Sequence, residues 1–213
     1  MATRSPRSPS ADGDAPPIDV DTEVDALYAA DPEGFTVARD SLAKRLRAAG
    51  RNGEAAEVKA LRRPTVAAWA VNHIARKRAR DVTRLRELGS ELRRAQGRAL
   101  RRRTDDDTAN VLRDLGARRR ALVAELADAA LAVLASRDGA APDSHRADIV
   151  ATFDAVVADD DSAEQVAAAR LARPLEAPVG FGAPAGDDDA EIVVLDDDSP
   201  RRSPPKNRAK ANG

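Results

Sequence analysis

The sequence predicts an all-α protein: an irregular helical bundle containing one long antiparallel helical hairpin, with disordered tails at both ends. Three observations predict it. Only 2% of the 213 residues are aromatic, so the core must be built mainly from Ala, Leu and Val, which suits thin helix-on-helix packing better than a sheet. Apolar residues between Val24 and Ala172 recur at spacings of three and four, the period of one helix face. Residues 1–18 and 183–213 are rich in Ser, Pro, Asp and Gly and poor in apolar side chains, too poor to offset the cost of ordering them. The folded domain is therefore placed at residues 19–182.

Taken in chain order, Val24, Leu27 and Tyr28 mark a short first helix. Asp31 and Pro32 form a start signal, a capping carboxylate followed by a proline whose missing N–H costs nothing in the first turn. Phe35, Ala38, Leu42 and Leu46 continue it as one stripe and Gly50 stops it, which predicts a helix over 32–49. Ala55, Val58 and Leu61 mark a third helix, and Pro64 forces a new start. The hairpin arms follow. Val82, Leu85, Leu88, Leu92, Ala95 and Ala99 line the first. Leu112, Leu115, Leu122, Leu126, Ala129 and Val133 line the second, interrupted by Arg119. The acidic TDDD run at 104–107 separates the arms and supplies caps. Gly89 and Gly97 each weaken the first arm by roughly 1 kcal/mol relative to Ala, so tertiary packing is needed to hold it. Beyond Asp138, Gly139 and Pro142, a helix is expected through Ile149, Phe153, Val156 and Val157 and a last one from Ala163 to Ala172. Pro174 and Pro178 then force an extended segment whose Leu175, Val179 and Phe181 are expected to lie back on the bundle.

Composition excludes several function classes. Without cysteine there is neither a disulfide framework nor a thiolate metal site. The N-terminus has no apolar leader segment and no stretch approaches the roughly 18 apolar residues a membrane span needs, so the protein is expected in the cytoplasm. His73 and His145 lie in separate segments, the carboxylate triplets are spaced like caps and solvated loops, and no glycine-rich phosphate loop is present. The expectation is therefore a non-enzymatic protein with no cofactor.

Three blocks carry a family resemblance: DPEGFTVARDSLAKRLRAAG at 31–50, AAEVKALRRPTVAAWAVNHIAR at 55–76 and ARLARPLEAPVGFG at 169–182. Together they resemble a family of uncharacterised helical proteins from actinobacteria. The middle block is the most specific, a proline-started helix with Trp, Asn and Arg at fixed spacings. The resemblance implies a bacterial, cytosolic, all-helical protein and assigns no activity or functional residue. Arginine-rich basic usage, 30 Arg against 5 Lys, fits the same source.

Charge segregation points to binding. The formal charge of −1 conceals about +14 over residues 39–103 and about −14 over residues 104–200. From Arg76 to Arg103 there are 12 basic and 3 acidic side chains. Two readings stand: arginines solvated on a helix, or a surface that binds nucleic-acid phosphates without reading sequence, since no recognition motif accompanies them. The residues that would carry the second reading are Arg76, Lys77, Arg78, Arg80, Arg84, Arg93, Arg94, Arg98, Arg101, Arg102 and Arg103. A different class of function, a protein-interaction or scaffold module, would use Trp69, Asn72, His73 and Arg76. These lie on the border of the apolar arc formed by Val66, Ala67, Ala70, Val71 and Ile74. The alternative there is a core Trp69 with Arg76 stacked on its indole. The acidic segment at 187–199, with Ile192–Leu195 between carboxylate clusters, reads as a solvated tail or as a segment competing with polyanions for the basic arm.

Overall fold

The computed structural model describes residues 18–101, 106–139 and 143–176. Among the described residues there are eight α-helices and no strand: α1 Val20–Ala29, α2 Phe35–Ala48, α3 Asn52–Ala60, α4 Val66–Lys77, α5 Ala79–Arg101, α6 Asp106–Asp138, α7 Arg146–Ala158 and α8 Asp160–Ala168. Except for Ile18, the tails expected at 1–18 and 183–213 lie outside the described residues, as do Val179 and Phe181. Ile18, assigned to the N-terminal tail by its neighbours, instead packs against the first helices.

Several boundaries differ from the sequence expectation for identifiable reasons. Asp31 does accept from the Glu33 N–H, but residues 31–34 form a tight turn, with Gly34 N–H on the Asp31 carbonyl and Phe35 N–H on the Pro32 carbonyl. The second helix therefore begins at Phe35 and not at 32. Gly50 ends it with a φ of +76°, a conformation glycine adopts without a Cβ penalty. The last helix runs from Asp160 to Ala168, where 163–172 was expected, because Asp159 caps it through the Ser162 N–H and Ala169 terminates it at φ 54°. A break at Arg78 separates α4 from α5 without glycine or proline. The Arg78 side chain bridges Asp81 and Glu125 across that break, pinning the junction to α6.

The apolar residues form two separate cores. Val24, Leu27, Tyr28, Phe35, Leu42, Leu46 and Val58 build the smaller one from α1–α3, where the Tyr28 and Phe35 rings meet edge to face at 5.1 Å. The larger one joins α4–α8. Its centre is α7, whose Ile149, Phe153, Ala155, Val156 and Val157 are all fully buried; from Thr152 to Val157 every residue is buried, so this part of the helix is covered on every side by neighbours among α4, α5, α6 and α8. Burying each of its larger side chains contributes about 1.5 to 3 kcal/mol. The expected hairpin is present as α5 and α6. Arg119, the interruption in the α6 stripe, is paired with Asp154 of α7 at 2.8 Å, with both side chains largely buried.

Gly89 explains how α7 fits. A Cβ at this position would meet the Val157 carbonyl oxygen at 2.4 Å and the Val157 Cα at 2.9 Å. Only a residue without a side chain lets α5 come that close to the end of α7. One turn further on, Arg93 donates to the Val157 and Ala158 carbonyls at 2.7 and 3.2 Å, satisfying groups that the end of α7 leaves open. Gly97 has only the flexible Arg101 side chain nearby, at 3.4 Å. Opposite outcomes are therefore expected from one chemical change. Gly89→Ala should lower stability by about 1 to 3 kcal/mol because backbone cannot give way, whereas Gly97→Ala should raise it by up to about 1 kcal/mol through helix propensity. Denaturant melts of both variants beside the parent check this.

Candidate nucleic-acid interface and the Trp69 region

The chain between α3 and α4 sets up the Trp69 region. Thr65 caps α4 through its hydroxyl on the Ala68 N–H, and its own N–H donates to the Ala172 carbonyl, fastening the start of α4 to the segment after α8. Trp69 is 7% exposed and belongs to the larger core. Asn72 is fully buried. Its amide donates to the Leu171 carbonyl and accepts from the Leu171 N–H, both at 2.9 Å, across 99 residues of sequence. It holds the segment after α8 in place and lines no groove. Leu175, expected on the bundle, packs there and donates its N–H to Thr152.

Arg76 does not stack on Trp69. Its guanidinium turns the other way and donates to four backbone carbonyls: Ala169 at 2.6 Å, Tyr28 at 3.2 Å, and Asn72 and Asp25 at 3.4 Å. These carbonyls belong to α1, α4 and the residue that ends α8, so one side chain ties three parts of the chain together. Burial pulls the Arg76 pKa below its ordinary value, and Asp25 partly opposes that. The cation over the indole is Arg137 from α6, 5.4 Å from the ring centroid, and it also pairs with Asp31 and Glu33. His73 lies against the same indole at 5.6 Å. Of the four residues proposed for a partner groove, His73 alone is left half-exposed with no hydrogen bond among the described residues.

The basic arm divides in the same way. Arg78 pairs with Asp81 and Glu125, and Arg93 caps α7, so both are spent on structure. Lys77 leaves the arm and lines a cleft on α4. Arg102 and Arg103 lie outside the described residues. Arg80, Arg84, Arg94, Arg98 and Arg101 remain, all exposed and none in an ion pair among the described residues. At helical geometry they fall within an arc of roughly 100° along about 30 Å of α5. Glu87 and Glu91 sit inside that arc and divide it into two groups. Beyond Arg93, where α7 stops, α5 and α6 project from the bundle, and Leu100 there is 90% exposed.

Sequence reasoning missed three partners that decide these roles: the carbonyls on Arg76, Asp154 for Arg119, and Leu171 for Asn72. Apart from the Arg76 bond to the Asn72 carbonyl, four residues away, each bond spans 35 or more residues, and no local spacing encodes it. Among the described residues no three His, Asp or Glu side chains are grouped to hold a metal, and no helix is long and apolar enough to cross a membrane.

If Asn72 is an internal clasp, Asn72→Ala leaves the N–H and carbonyl of buried Leu171 without partners. The expected loss is about 2 to 4 kcal/mol, from roughly 1 to 3 kcal/mol per orphaned group. Urea unfolding of the variant measures it, and an unchanged midpoint would return Asn72 to the surface.

Comparison with protein-family models, curated proteins and solved structures finds no match.

Proposed function

We propose that the protein is a non-enzymatic, cytoplasmic nucleic-acid-associating protein whose contact surface is the outward stripe of α5. The observation that carries this reading is the set of five arginines, Arg80, Arg84, Arg94, Arg98 and Arg101, exposed on one side of a helix with no carboxylate partner among the described residues. Guanidinium groups pair with phosphate oxygens in a two-point geometry, and each phosphate neutralised releases counterions. A helix that carries no aromatic side chain between Ala79 and Arg101 offers backbone contacts, which position a protein on a duplex without reading its sequence. Arg76, Arg78 and Arg93 are excluded from this surface because backbone carbonyls and carboxylates already occupy them. The bacterial source implied by the sequence resemblance is part of the same proposal.

A second reading, a protein-interaction module, is favoured by one observation: Leu100 and Val111 are exposed at the projecting end of the hairpin. An apolar pair at the tip of a helical arm suits a partner surface better than a phosphate backbone.

Salt separates the two. Binding of a short duplex through five arginines should weaken linearly in log salt with a slope of at most about −4.5, and Arg94→Gln, Arg98→Gln and Arg101→Gln together should reduce that slope by about 2.7. Fluorescence anisotropy of a labelled duplex measures both quantities. No binding at about 50 mM salt, where the electrostatic term is near its strongest, would leave the interaction-module reading in possession.

A further inference from the structure

A second cationic feature lies apart from the α5 stripe, in a cleft of about 410 Å³ between α4 and α6. Its lining is His73 and Lys77 from α4 with Ala132, Val133, Ser136 and Arg137 from α6. The cleft is open to solvent, with room for a small group and not for an enclosed ligand, and no acidic residue contributes to the lining. The charges around it are unevenly paired. Arg137 is answered by Asp31 and Glu33 on its far side. Arg76, one turn from His73, donates to carbonyls only, and the nearby Asp25 is engaged by Arg170. Lys77 is exposed with no ion pair among the described residues. Lys77 is therefore the cation of the lining left without a carboxylate, and burial first, then Lys77 and Arg76, hold the His73 pKa below the ordinary histidine value. At neutral pH the ring is an uncharged imidazole with one N–H to donate.

We propose that this cleft binds the phosphate group of a small molecule, with the Lys77 ammonium as its charge partner, the His73 N–H and Ser136 hydroxyl as hydrogen-bond donors, and Ala132 and Val133 as the apolar floor for the rest of the ligand. Ser136 now rests its hydroxyl on the Ala132 carbonyl at 2.8 Å and gives up that bond to reach the ligand. A tetrahedral oxyanion uses such a set better than a planar carboxylate does, because its oxygens point to donors on both walls at once. Beside the cleft the Trp69 Nε1 is buried with no hydrogen-bond partner among the described residues, so this corner is richer in donors than in acceptors. The same geometry supplies the readout. Trp69 is the one tryptophan of the chain, and its ring is within 5.6 Å of His73 and 5.4 Å of Arg137, both of which line the cleft.

The experiment is a titration of full-length protein with inorganic phosphate at constant ionic strength, the balance made up with chloride, following Trp69 emission. A saturable change is expected. It should weaken at least about tenfold in Lys77→Gln and in His73→Gln, the loss of a single charge-assisted bond being of that order. Thermal melts establish that both variants remain folded. A duplex oligonucleotide, which would bind along α5, should leave the emission unchanged. The absence of a saturable phosphate response overturns the proposal, as does a response retained in both variants. So does a citrate curve equal to the phosphate curve, or a response to the duplex and not to phosphate.

Discussion

The Arg76 guanidinium is the interaction on which the arrangement of this chain depends. An aromatic-poor sequence builds two small apolar cores in place of one large one, and two cores need something to join them. Arg76 does so by donating to carbonyls of α1, of α4 and of Ala169, while Arg170 pairs with Asp21 and Asp25 and Arg137 with Asp31 and Glu33. Bonds from a charged donor are each about 1.5 to 3 kcal/mol, larger than exposed ion pairs, and those to Ala169, Tyr28 and Asn72 are partly buried. The join is directional as well: Ala169 is held in a left-handed conformation with its carbonyl 2.6 Å from Arg76, and its geometry launches the extended segment that Asn72 then clasps.

This use of arginine as internal support decides what is left for function. Along the basic stretch that looked uniform in sequence, the side chains at 76, 78 and 93 are consumed by carbonyls and carboxylates of the fold. Those at 80, 84, 94, 98 and 101 face outward on one side of α5. For Arg93 the division follows from where α7 ends. Gly89 admits the end of α7 against α5, Arg93 caps it, and past that level nothing covers the hairpin. The exposed Leu100 and the outward Arg94, Arg98 and Arg101 lie past the end of α7, whereas Arg80 and Arg84 precede it and face outward by their place on the helix.

The fold was largely legible in the sequence because helical period, Asp and Pro start signals and Gly stops are local. The hairpin, the stop at Gly50 and the buried stripe from Val82 to Ala95 follow from spacing alone. The candidate site was legible only in part, because its parts meet across long separations. Trp69 as a core residue could be anticipated from its apolar neighbours, but the cation over its ring comes from Arg137, 68 positions away, and not from Arg76 on the same helix. Gly89 and Gly97 look alike in sequence and differ in what stands opposite them. The break at Arg78 has neither glycine nor proline to announce it, and the side chain that pins it reaches Glu125 of α6, 47 positions away.

The central claim is that Arg76 is a structural donor, and amide hydrogen exchange of Arg76→Lys tests it most directly. Lysine keeps the charge but loses the planar fork that reaches several carbonyls at once. The account predicts that α1 and the segment around Leu171 exchange at least about tenfold faster, the equivalent of one lost charged hydrogen bond, while the centre of α7 keeps its protection. Unchanged exchange in α1 would contradict it, because a charge alone would then suffice and the guanidinium would be free for a ligand.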